Sequence, residues 1–235
     1  PYYIAEIYLI KKNYDKAEIV AQNYLSAYPN NEYTAEMYRV LGDADYHFGK
    51  YHEAMGAFEK YLANNKEEAP RRDALYMLGL SYYHSGVYTK AANTLGEVAT
   101  GNDALSQNAY LHMGLSYLQM GDKNKARMAF EQASASNANV QIKEQAAYNY
   151  ALCIHETSYS AFGESVTVFE KFLNEFPNSQ YVDKVSSYLV EVYMNTRSYE
   201  AALKSIERIA HPGTAILEAK QKILFHLGTQ SFANA

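Results

Sequence analysis

The chain has 235 residues, 48% of them hydrophobic and 20% charged, with a formal net charge of −5. That composition suffices for a packed core, and its mildly acidic balance leaves no electrostatic footprint for nucleic acid or an anionic membrane surface. No apolar run reaches the roughly 18–20 residues of a spanning helix, and the single cysteine, Cys153, excludes an intramolecular disulfide and reads as a small buried hydrophobe.

Taken from the start, Pro1 leads directly into Tyr2–Tyr8, which already has a helical pattern, and Gly228–Ala235 stops partway through a similar one. Neither a start methionine nor a signal sequence is visible, so a fragment of a longer array is the expectation. Between these ends an aromatic-x-x-small pattern recurs at Tyr14–Ala17, Tyr51–Ala54, Tyr88–Ala91, Phe162–Ser165 and Tyr199–Ala202, with only the alanine kept in Lys123–Ala126. Its small residue falls at 17, 54, 91, 126, 165 and 202, at intervals of 35–39 residues. In phase with it run Leu41-Gly42, Leu78-Gly79, Met113-Gly114, Tyr150-Ala151, Leu189-Val190 and Leu227-Gly228.

Each period reads as two amphipathic helices. Tyr38, Leu41, Gly42 and Asp45 share one face of a first helix, and Ala54, Phe58 and Tyr61 follow at helical spacing on a second. His47–Lys50, Ser85–Val87 and Met120–Asp122 are the turns, each with a glycine suited to a left-handed helix end. In the fifth unit the turn is two residues longer, around Thr157–Ala161. Tyr28-Pro29-Asn30-Asn31 and Phe176-Pro177-Asn178-Ser179 punctuate unit ends, with Asn or Ser as a cap for the next helix. No strand alternation is sustained, so the class is all-α. The whole of 1–235 is predicted as one domain, with repeats at about 1–30, 31–67, 68–102, 103–138, 139–177 and 178–212 and a partial seventh at 213–235. Small residues at 42, 79 and 114, and at 17, 54, 91 and 126, would let paired backbones approach closely, while the 24 tyrosines fill the gaps between units.

Leu-Gly-x-x-Tyr/Asp, Gly-x-Tyr-x-x-Ala, a following Phe and a terminal Pro resemble the signature of tetratricopeptide-repeat proteins, most clearly in units two to four. The resemblance implies a right-handed solenoid of antiparallel helix pairs. The first helices of such a solenoid line a concave groove, and family members usually bind peptides or partner helices there. On those helices a second stripe lies three residues before, and one, four and five after, the glycine-type position. It supplies Arg39, Asp43, Tyr46 and His47; Tyr76, Leu80, Tyr83 and His84; Leu111, Leu115, Leu118 and Gln119; Tyr148, Leu152, His155 and Glu156; and Ser187, Glu191, Met194 and Asn195. Flat rings as anchors, with hydroxyls and imidazoles for orientation, suit an extended peptide or an amphipathic helix. Packing of Tyr46 and Tyr83 on the adjoining unit, with Leu115 and Leu152 closing the groove, is the competing reading. Chaperone-binding members hold a terminal carboxylate with a lysine–asparagine clamp. The matching places here carry Arg39 and Asp43, Tyr76 and Leu80, Leu111 and Leu115, so that mode is not expected.

Catalytic patterns are missing: there is no phosphate-cradling glycine loop, no nucleophile elbow and no H-E-x-x-H, and His155-Glu156 lacks a second histidine. His47 and His84 are equivalent residues in adjacent units, on the order of 10 Å apart, too far to share one zinc. A binding module with no catalysis, cofactor or metal is therefore expected, with a protein or peptide partner. Two other functions stay open: a recruitment arm of a larger enzyme or sensor, and an architectural array that associates head to tail. Tyr24–Asn30 and Phe172–Ser179 also resemble unit junctions of bacterial envelope members of the family, namely lipoproteins of outer-membrane protein assembly and the periplasmic coordinator of the Tol-Pal system. That resemblance favours the periplasm or cell envelope over the cytoplasm.

Overall fold

A computed structural model of the chain describes residues 1–157, 161–196 and 198–233. Among them lie thirteen α-helices and no strand: α1 (Tyr2–Ile10), α2 (Tyr14–Ala27), α3 (Thr34–His47), α4 (Tyr51–Asn64), α5 (Arg72–His84), α6 (Tyr88–Val98), α7 (Ala104–Gln119), α8 (Lys123–Ala135), α9 (Val140–Thr157), α10 (Val166–Glu175), α11 (Val182–Asn195), α12 (Tyr199–Glu207) and α13 (Thr214–Ala233). The predicted pairs are present, with each Tyr-x-x-Ala motif opening a second helix. The contacts divide the chain into two compact units, residues 1–129 and 130–235.

In the first unit each helix from α1 to α7 packs on the next. The first helices of successive repeats also touch, α1 with α3, α3 with α5 and α5 with α7. The small residues permit this. A Cβ added at Gly42 of α3 would lie 2.9 Å from the Phe58 ring of α4, and one at Gly79 of α5 would lie 2.6 Å from Leu95 of α6. Ala17, Ala54 and Ala91 are fully buried, with Phe58, Tyr61, Leu78 and Leu95 filling the space around the helix pairs.

The turns repeat one geometry. Gly49, Gly86 and Gly121 have φ of 73°, 77° and 75°. The next amide in each case returns to a carbonyl five residues earlier: Lys50 to Asp45, Val87 to Tyr82 and Asp122 to Tyr117, at 2.8–2.9 Å. In the first repeat the same place is held by Lys12, at φ 55° without being a glycine, and Asn13 N–H still donates to the Tyr8 carbonyl at 2.8 Å. The unit junctions work differently from the expected Asn caps. The residue before α3 is Tyr33, which makes no side-chain cap, and Asn31 Oδ1 instead accepts the Tyr24 hydroxyl at 2.6 Å. At the third junction Arg72 donates to the Val98 carbonyl at the end of α6, 2.8 Å away, where a cation complements the helix dipole. It also pairs with Asp103, 2.5 Å away, and Asp103 in turn caps α7 by accepting from Ser106 N–H at 2.8 Å.

In the second unit, α9 to α13 enclose Phe169, Phe172, Leu189, Tyr193, Ile206, Ile216 and Ile223. A π-helical turn, Ala161–Ser165, leads into α10, so the aromatic-x-x-small motif of unit five sits in a widened turn. Ser158–Ser160, within the two-residue lengthening expected there, lie outside the described residues. The buried Glu170 carboxylate receives Arg208 Nε and Nη2 at 2.8 and 2.9 Å and the Ser205 hydroxyl, beside Tyr193 Oη, 2.5 Å from Ser205 Oγ. A buried charge is tolerated when paired and fully hydrogen-bonded. Here it ties α10 to α11 and α12. Cys153 is buried, as expected, and no helix among the described residues is long and apolar enough to cross a membrane.

Candidate functional site

Side by side, α3, α5 and α7 display an almost continuous run of rings in the first unit. Tyr14 stacks on His47 at 4.0 Å, and Tyr51 stacks on His84 at 4.3 Å, with ring planes within 16° and 19°. Both are links between repeats: the tyrosine that opens a second helix covers the imidazole that closes the following first helix. Tyr46 meets Tyr51 edge-on at 5.2 Å and His84 at 5.9 Å. Tyr83 meets Tyr88 at 5.8 Å and His112 at 5.7 Å. Such contacts add about 0.5–1.5 kcal/mol each beyond area burial, so the strip is held rigid before any partner arrives.

Its electrostatics are set by partial burial. Burial pushes the Tyr46 and Tyr83 hydroxyls up from their ordinary range and Tyr76 up to about 12. It also lowers His47, His84 and His112, which keeps the imidazoles neutral at pH 7. The Tyr46, Tyr76 and Tyr83 rings are half-buried, and none of the three hydroxyls has a hydrogen-bond partner among the described residues. Rigid rings with free hydroxyls are what an extended backbone or an amphipathic helix needs from a groove.

Not every predicted groove residue lies on this strip. Arg39 is 4% exposed and is surrounded by carboxylates, pairing with Glu6, with Glu36 at 2.7 Å and with Asp43 at 3.0 Å; it binds α3 to α1 and is corrected from contact residue to internal linchpin. Leu111, 1% exposed, is a core residue where α7 meets its neighbours, and Leu80 is buried likewise. Tyr148 is also core, 8% exposed and stacked on Tyr181 at 4.0 Å. These four are corrections with one cause: an edge position on a first helix faces the next repeat as readily as the groove. Asp43, Tyr46, Tyr76, Tyr83, Leu115 and Leu118 are half-buried, and His47 and His84 are exposed at their rims. His155 belongs to the second unit, its Nδ1 3.4 Å from Ser165 Oγ and its ring between Phe169 and Tyr188.

Sequence reasoning missed three groups. Tyr14, Tyr51 and Tyr88 enter the sequence pattern as motif residues that fill gaps between units, yet their rings also join the strip. His112 lies one turn from the expected stripe. Glu36 and Asp73 fall six residues before Gly42 and Gly79, one turn beyond the stripe as drawn, and extending the i, i+3 spacing would have found them. Among the described residues no group of three or more His, Cys, Asp or Glu is placed to hold a metal.

Residues 47–133 match the family model described as anaphase-promoting complex, cyclosome, subunit 3. Among solved structures, the chain is similar to a tetratricopeptide-repeat protein from Parabacteroides merdae. The identity is 19%, coverage is 95% of this chain and 84% of that one, and the TM-score is 0.58. The chain has the tetratricopeptide-repeat fold. The chain is also similar to MamA, with 24% identity, 74% of this chain and 95% of that one covered and a TM-score of 0.59. It is similar again to PilF of Pseudomonas aeruginosa, with 17% identity, 96% of this chain and 95% of that one covered and a TM-score of 0.57. No curated protein matches the chain. Tetratricopeptide-repeat domains are in general scaffolds for protein–protein interaction and not catalysts.

Proposed function

We propose that the chain is a protein-interaction scaffold whose first unit seats an extended or helical segment of a partner protein along α3, α5 and α7. The observation that carries this is the pre-stacked strip of Tyr46, Tyr83, His47 and His84 with unpartnered tyrosine hydroxyls beside it. The leucines of α7, Leu115 and Leu118, continue it as a half-buried apolar surface. Affinity capture from the source cells is the test, comparing the intact chain with a Tyr46→Ala/Tyr83→Ala/Leu115→Ala variant shown by circular dichroism to be folded. A partner recovered only by the intact chain supports the groove; equal recovery by both moves the site elsewhere. The residues at unit junctions, Phe172–Ser179 and Tyr24–Asn30, support a cell-envelope location, which fractionation of source cells with an antibody to the chain would test.

A second reading has its own observation. The α1 residues Tyr3, Ile4, Ile7 and Ile10 and the α13 residues Leu224, Phe225 and Phe232 are large, apolar and 48–88% exposed. Water-exposed apolar patches of this kind mark interaction surfaces, which favours head-to-tail self-association.

A further inference from the structure

We infer that the partner segment seated on the first unit carries a lysine or arginine side chain, received at the α3–α5 end of the strip by Asp43 and Asp73. The assignment rests on the groove reading above and adds to it the chemistry of the occupant.

The argument is one of charge complementarity at a surface that is otherwise aromatic. At this end four carboxylates, Glu6, Glu36, Asp43 and Asp73, share two guanidinium groups, those of Arg39 and Arg71. Arg39 is enclosed and fully committed to Glu6, Glu36 and Asp43. Arg71 grips Asp73 through Nε and Nη2 at 3.1 and 2.7 Å and lies 3.7 Å from Glu36. Two negative charges are therefore left over, and Asp43 and Asp73 each stand one helical turn before Tyr46 and Tyr76. Burial pushes the Asp43 carboxyl up to about 6 even though Arg39 stands beside it, and the negative charge of Asp73 adds to the rise. An acid held above its ordinary range next to an arginine is under-compensated, and a third cation would restore its ionised form. Burial works against the Asp73 carboxyl, yet its two-pronged pairing with Arg71 holds it below the ordinary range; over half its side chain is exposed, so a second cation reaches its remaining lone pairs from outside. The rings of Tyr46 and Tyr76 offer π faces for the aliphatic stem and the charged head of the same side chain. The strip's own histidines are uncharged at pH 7 and do not compete for these carboxylates. A groove that wanted an acidic segment would present the reverse balance.

The experiment is a selection of random nonapeptides displayed on phage against the full chain, immobilised through a terminal tag. It is repeated on Asp73→Asn, on Asp43→Asn/Asp73→Asn and on Tyr46→Ala/Tyr83→Ala, each shown folded by circular dichroism. The expected result is enrichment of peptides with Arg or Lys at a fixed spacing from an apolar residue. Their recovery should fall roughly tenfold on Asp73→Asn, the loss of about 1.4 kcal/mol for one charge-assisted contact, and vanish on Tyr46→Ala/Tyr83→Ala. Enrichment of neutral or acidic peptides, or of basic ones indifferent to Asp73→Asn, overturns the inference and leaves the groove standing if the tyrosine variant loses them. No enrichment over bare support overturns both. Asp73→Asn alone decides the charge question if Asp43→Asn disturbs the Arg39 cluster and unfolds the chain.

Discussion

Lys12 shows in one residue how the repeat constrains its members. Its counterparts in later turns, Gly49, Gly86 and Gly121, take positive φ without cost, whereas Lys12 at φ 55° carries a Cβ into the left-handed region. That conformation costs an L-residue about 1–2 kcal/mol, and glycine gives back about 0.5–1 through its freer unfolded chain. Lys12→Gly should therefore stabilise the protein by about 0.5–1 kcal/mol in denaturant titration, and a loss of stability would show that the lysine side chain has an offsetting role. The Tyr51–His84 stack makes a second residue-scale test. A double-mutant cycle of Tyr51→Ala and His84→Ala should return a coupling of about 0.5–1.5 kcal/mol, and additive effects would mean that the rings merely lie near each other. Asp43 gives a pH prediction. Its folded carboxyl titrates at about 6 against an unfolded value of 3.8, so between about pH 4 and 6 the folded chain binds the extra proton and this contribution to stability falls as pH rises. Asp43→Asn removes that term, and its stability relative to the parent should shift in its favour by up to about 3 kcal/mol between pH 4 and 7. Histidines lowered by burial act in the opposite direction near pH 6, but they are common to both proteins and cancel in the difference.

At the scale of the helix, glycine serves two purposes that a sequence cannot separate. Gly79 and Gly56 both stand inside helices, where alanine is preferred by about 1 kcal/mol. A Cβ on Gly79 would strike Leu95 at 2.6 Å, while one on Gly56 meets nothing within 4 Å. Gly79→Ala should accordingly destabilise, by about 1–2 kcal/mol once overpacking is set against propensity, and Gly56→Ala should stabilise by up to about 1 kcal/mol. Melting curves of the two variants moving in the same direction would refute the packing register. That register was legible in the sequence, because Gly42, Gly79 and the alanines recur in phase with the aromatics and close helix packing admits nothing larger. The junctions were less legible. Asn31 and Ser179 have the composition of caps, yet their side chains accept the Tyr33 and Tyr181 amides just ahead of the helix and are fixed by the Tyr24 hydroxyl and the Glu144 carboxylate. The latter two partners come from more than six residues away, beyond what capping rules inspect. In the candidate site the aromatic stripe was readable from spacing. The roles of Arg39, Leu111 and Tyr148 were not, since one helix face borders both the groove and the next repeat. Glu170 was equally hidden: its partners Ser205 and Arg208 lie 35 and 38 residues on, one repeat later.

At the scale of the whole chain, the exposed faces of α1 and α13 raise a question that symmetry can answer. Ile10 is 78% exposed and Phe232 88%, and two ways of covering them differ in their consequences. If only one of the patches pairs, and with its own kind, the contact is isologous and stops at a dimer. If α1 of one copy meets α13 of another, the contact is heterologous and grows with concentration. Sedimentation equilibrium of the parent should show a weight-average mass that rises across a concentration series. Ile7→Lys/Ile10→Lys should remain monomeric, and so should Phe225→Lys/Phe232→Lys, because each removes one half of a head-to-tail contact at exposed positions without touching the core. Mixing the two variants is the decisive step. Each then retains the surface the other has lost, so a heterologous contact restores a single junction and the mixture stops at a dimer. An isologous contact would leave one of the variants self-associating on its own, and mixing would add nothing. A parent that stays monomeric at every concentration would remove self-association from the functions open to the chain and leave the aromatic strip as its principal surface for partners.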